Sequence, residues 1–192
     1  MAESKKKDEM AEALKKALDS KPLHKITVAE IAEACGINRQ SFYYHFKDVY
    51  ELTEYMYKSD IARIVEASDS QDWNVITGQL FFYALMNRNV ILNTINDIDS
   101  DLLTDQLRLE LKKIILKFIE DREKEKGISL EEEDKNVIAD LYKFALCGMI
   151  ISWCKKGMKD VSQERVQSLV YFLTHGLDSA VADGEKKMKE GK

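Results

Sequence analysis

The side chains best suited to bind a ligand lie close together in one stretch, from Thr27 to Lys47. They offer a guanidinium, a carboxamide, hydroxyls, an imidazole and an ammonium group, carried by Arg39, Gln40, Ser41, Tyr43, Tyr44, His45 and Lys47. Arginine and glutamine can hydrogen-bond the edges of DNA bases, and hydroxyl and cationic groups commonly contact phosphates. The stretch therefore has the residue types of a DNA-reading surface.

Two short helices with a tight turn between them are predicted to hold these side chains. Thr27 and Glu30 have the spacing of a capping box at the start of the first helix. Gly36 suits the left-handed position that ends this helix, and Asn38 is a good N-cap for the second helix. Two helices joined by a short glycine-containing turn form a helix-turn-helix, whose second helix enters the DNA major groove.

The second helix is predicted to have one buried face and one exposed face. Phe42 and Phe46 are four residues apart, so both fall on the same side and should pack against the first helix. Arg39, Gln40 and the two tyrosines then remain on the other side, where they could reach a duplex.

The composition favours an all-α fold. One proline and eight glycines among 192 residues argue for long helices and against a β fold with many turns. Apolar spacing predicts about nine helices in two domains. We expect a helix-turn-helix domain at 1–48 and a second helical domain at 49–192, which a rigid connector helix at 49–67 begins.

Several local features of the second domain lead to specific expectations. The buried side of the connector helix is expected to consist of Leu52, Met56, Ile61, Ile64 and Val65. A helix at about 73–87 is apolar nearly all round and is expected in the interior. Ser129 begins what looks like a second capping box. The last helix is expected to end near Asp183 and to be followed by a frayed tail.

Charge and cysteine content limit the class of protein. The net charge is −5, but residues 1–58 hold ten basic and ten acidic residues, so the excess acid lies in 59–192. A neutral, locally basic head is compatible with DNA contact. Lys5, Lys6 and Lys7 could add to this contact, or they could simply be solvated. Three cysteines are too few for a disulfide framework, and no apolar run approaches the ~18 residues of a membrane span. We expect a cytoplasmic protein without a metal, a cofactor or a membrane partner.

An enzyme is the alternative from a different class, and the motifs for it are weak. Ser152 and Lys155 match the S-x-x-K pattern, but its partner motifs are absent and the position is in an apolar helix. Asp97, Asp99 and Asp101 begin like a calcium loop that lacks its later glycine and glutamate. We therefore expect no enzymatic activity.

The run I-T-V-x-x-I-A-x-x-x-G-I-x-x-x-S-F-Y-Y-H-F-K resembles the N-terminal domain of the TetR family of bacterial transcription regulators. These are all-helical homodimers with a three-helix DNA-binding head, here 1–48, and a helical ligand-binding and dimerisation domain, here 49–192. The resemblance covers about residues 10–55. It implies a regulator that binds a palindromic operator and responds to a signal at its C-terminal domain.

Roles for single residues follow from this resemblance position by position. Arg39, Gln40 and Tyr44 match positions that face base edges. The positions that contact phosphates match Thr27, Ser41, Tyr43, His45 and Lys47. The family usually has a lysine where this chain has Val49, so one phosphate contact is expected to be missing and binding to be weaker.

A second resemblance concerns the body. Cys147–Trp153, followed by Gly157 and Met158, resembles a C-terminal subclass that includes activators of dihydroxyacetone kinase operons. The signal could be a small molecule or another protein. The side chains that could line a ligand pocket, or equally form an ordinary core, are Trp73, Phe81, Phe82, Tyr83, Met86, Asn87, Phe118, Tyr142, Met149 and Trp153.

The last two long helices are predicted to carry a self-complementary apolar face. Two helices from each subunit would close a four-helix bundle and form a homodimer. The expected interface residues are Phe144, Ile150, Val170, Tyr171, Phe172 and His175. The competing hypothesis for the whole chain is a helical protein-interaction adaptor or co-regulator that keeps this fold with weak or no DNA binding.

Overall fold

The computed structural model describes residues 2–67, 73–95, 100–159 and 163–190. Throughout these ranges the regular structure is helical, which confirms the all-α fold class. A single 3-10 turn, Leu23–Lys25, separates the first two helices. The helices are α1 (Ala2–Ser20), α2 (Val28–Ala34), α3 (Arg39–His45), α4 (Val49–Ala67), α5 (Trp73–Met86), α6 (Arg88–Ile95), α7 (Ser100–Lys126), α8 (Glu132–Lys155) and α9 (Gln163–Glu190).

The chain divides into two compact units, of which the first comprises Met1–Ala67 and Leu80–Leu103. Its core joins α1, α3, α4 and α6 through side chains that are at most 4% exposed, including Met10, Leu14, Phe42, Leu52 and Val90. The connector helix and α6 thus share one core with the helix-turn-helix. The functional boundary at residue 48 stays a prediction.

Local capping forms α2 and α3 as predicted. The Thr27 hydroxyl accepts a hydrogen bond from the Glu30 amide at 3.3 Å, and the Glu30 carboxylate accepts one from the Thr27 amide at 2.9 Å. Gly36, with a φ of +64°, takes the left-handed position after α2. Asn38 Oδ1 accepts a hydrogen bond from the Ser41 amide at 2.8 Å and so caps α3. These short-range contacts orient the two helices of the turn.

The connector helix α4 has its predicted bounds, but its buried side differs from the expectation. Asp48 caps the helix by accepting a hydrogen bond from the Glu51 amide at 2.9 Å. Leu52 and Met56 are buried as expected. Ile61 and Ile64 are only half-buried, whereas Asp60 is 6% exposed, and the side chain of Val65 lies outside the described residues. The expectation was wrong here because apolar spacing gives no signal for a carboxylate that distant helices stabilise.

The second unit comprises Ser68–Gln79 and Thr104–Lys192. Helices α7, α8 and α9 surround a core whose side chains are at most 2% exposed, including Ile115, Ile119, Ala139, Cys147, Leu177 and Val181. Cys147 and Cys154 are both buried, at 2% and 3% exposed. Burial raises the pKa of both thiols, and that of Cys154 rises to about 11.

The start of α8 differs from the expected capping box at Ser129. Its N-cap is Glu131, which makes no side-chain cap hydrogen bond. The buried Leu130 amide instead donates to Glu123 Oε1 at 2.6 Å, and Lys135 Nζ lies 3.0 Å from Glu123 Oε2. The prediction was wrong because the contact of Leu130 with α7 positions the chain immediately before α8.

Helix α9 continues to Glu190, so the expectation of a frayed tail after Asp183 was wrong. Lys187 Nζ lies 2.5 Å from Asp134 Oδ1 on α8. Gly184 packs so closely that an added Cβ would lie 2.8 Å from Leu130 Cδ2. These contacts support the helix beyond the point at which its apolar pattern weakens.

Helix α5 is not the interior helix that its composition predicted. Phe82, Leu85 and Met86 are 63%, 42% and 69% exposed. Tyr83 instead points toward α4 and makes a hydrogen bond there. The expectation was wrong because the sequence of a helix that is apolar on all sides does not indicate which side packs against another helix.

Helix α8 is, within the described ranges, the one helix long and apolar enough to cross a membrane by length and composition. This corrects the expectation that no apolar run approaches a span. It is weak evidence for a span, because core helices pass the same test. Only 22% of the qualifying 18-residue window is buried, which leaves much of its apolar surface exposed.

Candidate nucleic-acid interface

Helix α3 turns its phenylalanine into the core and its polar residues to solvent. Phe42 is fully buried, whereas Tyr43 and Tyr44 are 57% and 75% exposed. Arg39 and Gln40 are also exposed. Two exposed phenols beside a guanidinium and a carboxamide form a surface that can both stack on and hydrogen-bond a ligand.

The three residues assigned to base reading share this exposed face. Arg39 and Gln40 occupy the first turn of α3, and Tyr44 follows one turn after Gln40. In helix-turn-helix proteins, the N-terminal residues of the second helix contact base edges in the major groove. Arginine can fork onto guanine and glutamine onto adenine, each discriminating by about 1–3 kcal/mol. The geometry is suited to that role.

The residues assigned to phosphates lie around the edge of the same face. Ser41 and His45 are half-buried, while Lys47 is exposed just beyond the end of α3. The backbone amide of Lys47 donates to Glu51 Oε2 at 2.5 Å. This contact fixes the Lys47 backbone against the first turn of α4 and leaves its ammonium group in solvent.

The Thr27 hydroxyl is already engaged in the cap of α2. It donates to Glu30 Oε2 at 3.1 Å, and Lys21 Nζ lies 2.5 Å from Glu30 Oε1. The hydrogen bond from Lys21, followed by that from the Thr27 amide, lowers the pKa of Glu30. A phosphate contact by the Thr27 hydroxyl would have to replace its hydrogen bond to Glu30, and this role stays a prediction.

An open depression of about 450 Å³ lies between the start of α1 and the exposed face of α3. Nδ1 of His45 is buried and has no hydrogen-bond partner in the described part of the chain. A buried polar atom without a partner costs about 1–3 kcal/mol. The residues that line the depression are Glu3, Lys6, Asn38, Gln40, Ser41, Tyr44 and His45. Sequence patterns alone did not show that Glu3 and Lys6 would lie beside α3.

Val49 is 7% exposed and belongs to the core of the first unit. At the position where the resembling family usually carries a phosphate-binding lysine, this chain therefore buries an apolar side chain. The position contributes to packing, and the exposed Lys47 lies two residues before it.

The side chains proposed for a ligand pocket fall on both units. Phe81, Phe82, Tyr83, Met86 and Asn87 belong to the first unit, and the second holds Phe118, Tyr142, Met149 and Trp153. Phe118 is 6% exposed in the core of the second unit, with the Arg122 guanidinium 4.9 Å from its ring. Met86 and Met149 are 69% and 37% exposed. The side chain of Trp73 lies outside the described residues. The pocket stays a prediction, and core packing accounts for Phe118.

Tyr83 and Asn87 make contacts inside the first unit. The Tyr83 hydroxyl donates to Asp60 Oδ2 at 2.6 Å, and the Asn87 side-chain Nδ2 donates to the Tyr83 carbonyl at 2.8 Å. Lys15 Nζ reaches the same Asp60 oxygen at 2.7 Å. Burial, together with the hydrogen bond to Asp60, raises the pKa of Tyr83, so its hydroxyl remains a donor. Sequence reasoning missed Asp60 and Lys15 because residues 45 positions apart leave no local pattern.

Helices α8 and α9 carry the exposed apolar residues expected of an interface. Phe144, Tyr171 and Phe172 are 54%, 55% and 72% exposed. The exposed His175 ring stacks on Tyr171 with 4.0 Å between centroids. The half-buried members of the set are Ile150 and Val170. Their use in a dimer stays a prediction.

The capped helix pair, the glycine turn and the exposed polar face of α3 define a helix-turn-helix protein of the DNA-binding class. The description "Bacterial regulatory proteins, tetR family" matches residues 7–56, and "Transcriptional regulator C-terminal region" matches residues 71–175. The chain belongs to the tetR family and is a transcriptional regulator. Regulators of this family are soluble, bind operator DNA and dimerise.

Individual relatives agree with this family. The chain is 26% identical over 141 residues to "HTH-type dhaKLM operon transcriptional activator DhaS" of Lactococcus lactis subsp. lactis (strain IL1403), covering 73% of this chain and 74% of that protein. A solved structure of "Dihydroxyacetone kinase operon activator DhaS" has a TM-score of 0.70 at 22% identity, covering 94% of this chain and 98% of the other. The fatty acid degradation regulator FadR from Bacillus halodurans has a TM-score of 0.58 at 15% identity, covering 88% and 94%. The two structures support the fold.

Proposed function

We propose that this regulator binds a palindromic operator as a homodimer, with α3 of each copy in successive major grooves of the duplex. The observation that carries the proposal is the two-sided character of α3. Phe42 is fully buried, and Tyr44 on the opposite side is 75% exposed beside the exposed Arg39 and Gln40. A core side chain thus holds the helix while its polar side remains free for DNA.

The proposed contacts divide into two kinds. Arg39, Gln40 and Tyr44 read base edges, which gives sequence preference. The phosphate contacts set the register and come from Thr27, Ser41, Tyr43, His45 and Lys47. Because residues 1–58 carry equal numbers of acidic and basic residues, affinity depends on these placed groups more than on overall charge.

The proposed dimer forms through the exposed apolar face of α8 and α9. Phe144, Tyr171 and Phe172 are all more than half exposed. Apolar residues of this size, grouped on neighbouring helices, are typical of an interface. Two copies of the same face would bury them together and bring two α3 helices to one operator. Since operator DNA is intracellular, we infer a cytoplasmic location.

The regulator is proposed to act in dihydroxyacetone metabolism, under control of a signal at its C-terminal domain. Support comes from the similarity to the L. lactis activator, since the alignment covers about three-quarters of each chain. The signal favours one of two arrangements of the dimer, with different affinities for the operator. Genomic fragments selected by the protein are expected to lie beside dihydroxyacetone kinase genes. Selection of fragments beside unrelated genes only would contradict this assignment.

Selection of bound DNA followed by binding titrations tests the DNA-reading role. Arg39→Ala is expected to reduce the preference for selected over scrambled DNA by about 1–3 kcal/mol. Arg39→Lys is the matched control, because it keeps the charge but loses the fork, so preference should fall while salt dependence is retained. An unchanged preference in Arg39→Ala would show that this residue does not read bases.

A further inference from the structure

We propose that the first turn of α1 is part of the DNA interface, and that Lys6 and His45 hold one backbone phosphate in the depression between α1 and α3. This inference rests on the proposed DNA-binding function and extends the contact surface beyond the helix-turn-helix. The ligand is a phosphate diester of the operator backbone.

The position of Lys6 follows from the pattern of α1. Met10 and Leu14 are 1% and 0% exposed, so they mark the side of α1 that faces the core. Lys6 precedes Met10 by about one helical turn, so it lies on the same side of α1 as Met10. It is exposed because α1 extends beyond the core at this end. Because Lys6 also lines the depression, its side chain lies on the side of α1 that faces α3.

The depression itself lies on the DNA-facing side. Lys6 shares it with Gln40 and Tyr44, two of the residues proposed to read bases, and with Ser41. An anion in this space would be next to the groove that α3 enters. Phosphate oxygens accept hydrogen bonds from lysine, histidine and serine side chains, all of which line the space.

One further observation supports an anion here. His45 lines the depression but its Nδ1 is buried, so an anion there would be contacted through the other ring nitrogen. The neighbouring Lys7 also turns toward α3, with its Nζ 5.7 Å from the centroid of the Phe46 ring. Lys7 thus adds positive charge near the C-terminal end of α3, close to the depression that Lys6 lines.

Glu3 lines the same depression and would oppose a phosphate. Its carboxylate lies one turn before Lys6 and offsets part of the lysine charge. The site therefore binds one phosphate weakly in the resting protein, and removal of the carboxylate should strengthen DNA binding. The opposite effects of Lys6 and Glu3 give the proposal its sharpest test.

The experiment compares Lys6→Gln with Lys16→Gln in the full-length protein. Lys16 is an exposed lysine on the same helix, so both variants lose one charge from α1. Binding to selected DNA is titrated at several salt concentrations, with circular dichroism to confirm folding. Lys6→Gln is expected to make the negative slope of log K against log salt shallower by about 0.9, whereas Lys16→Gln should leave it unchanged. The loss of affinity in Lys6→Gln relative to the wild type should therefore be about threefold smaller at about 200 mM salt than at about 50 mM.

The outcomes separate this site from the proposed function. Lys6→Gln should keep the ratio of selected to scrambled binding, which Arg39→Ala reduces, and Glu3→Gln should bind about twofold tighter. Equal salt slopes for Lys6→Gln and Lys16→Gln, while the wild type still binds its selected DNA, would overturn the phosphate site alone. A wild type without any sequence preference would overturn the DNA-reading function and this site with it.

Discussion

The Tyr83 hydroxyl and the Lys15 ammonium group meet on one oxygen of Asp60, at 2.6 Å and 2.7 Å. Asp60 is 6% exposed, and Arg63 approaches its other oxygen at 3.4 Å. The carboxylate thus links α1, α4 and α5 inside the first unit. A buried carboxylate is stable only when charge and hydrogen bonds are both supplied, and here three side chains supply them.

Removing parts of this link should weaken the first unit to different degrees. Tyr83→Phe deletes a hydrogen bond to a charged group and should lower the free energy of unfolding by about 1.5–3 kcal/mol. Tyr57→Phe is the matched control, because its hydroxyl donates at 3.0 Å to the neutral Thr94 hydroxyl. That loss should be about 0.5–1.5 kcal/mol. Urea denaturation measures both, and equal losses would contradict a special role for Asp60.

Two glycines should respond oppositely to alanine. An added Cβ at Gly184 would lie 2.8 Å from Cδ2 of Leu130, a side chain that is 4% exposed. Gly184→Ala should therefore destabilise the protein by about 1–3 kcal/mol through overpacking. Gly78 has nothing within 4 Å of such an atom, so Gly78→Ala should stabilise its helix by about 0.5–1 kcal/mol. Thermal melts that rank both variants alike would refute the close packing of α9 on Leu130.

Alkaline pH should weaken the protein through Cys154. Burial raises the pKa of its thiol from 9.0 to about 11. The unfolded thiol ionises first, so stability is full below about pH 9 and is lost as the pH rises toward 11. This loss should amount to about 2–3 kcal/mol in the free energy of unfolding, and it should be absent in Cys154→Ala. The check is urea denaturation at several pH values, and parallel pH curves for wild type and variant would contradict it.

A charge on the exposed face of α9 should prevent dimerisation. Phe172 is 72% exposed, and Phe172→Glu would bury unpaired carboxylates at a two-fold contact. We expect the dimer dissociation constant to rise at least about tenfold. Phe82→Glu is the control, since Phe82 is similarly exposed, at 63%, on the other unit. Light scattering that shows Phe172→Glu as dimeric as Phe82→Glu would exclude this face.

Much of the candidate DNA-binding surface could be derived from neighbouring residues. Thr27 with Glu30, Gly36, and Asn38 with Ser41 act within one helical turn or at one backbone position, so their types and spacing suffice. The four-residue spacing of Phe42 and Phe46 likewise determines which side of α3 is buried. These features were correctly inferred because their causes are local.

Where local signals compete with distant contacts, only the tertiary structure decides. Ser129 has the spacing of a cap, yet the bond of Leu130 to Glu123 places the helix start later. The C-terminal tail has a weak apolar pattern, yet Lys187 pairs with Asp134 from 53 residues away.

The sequence by itself determined the all-α class, the capped helix-turn-helix and the exposed residues of α3. The tertiary structure decided that Lys6 and His45 line the same depression and that Lys15 and Tyr83 meet at Asp60. The physical reason is that helix caps and faces depend on residues within a turn or two. Depressions and buried charges depend on which helices pack together, and no short-range pattern encodes that packing.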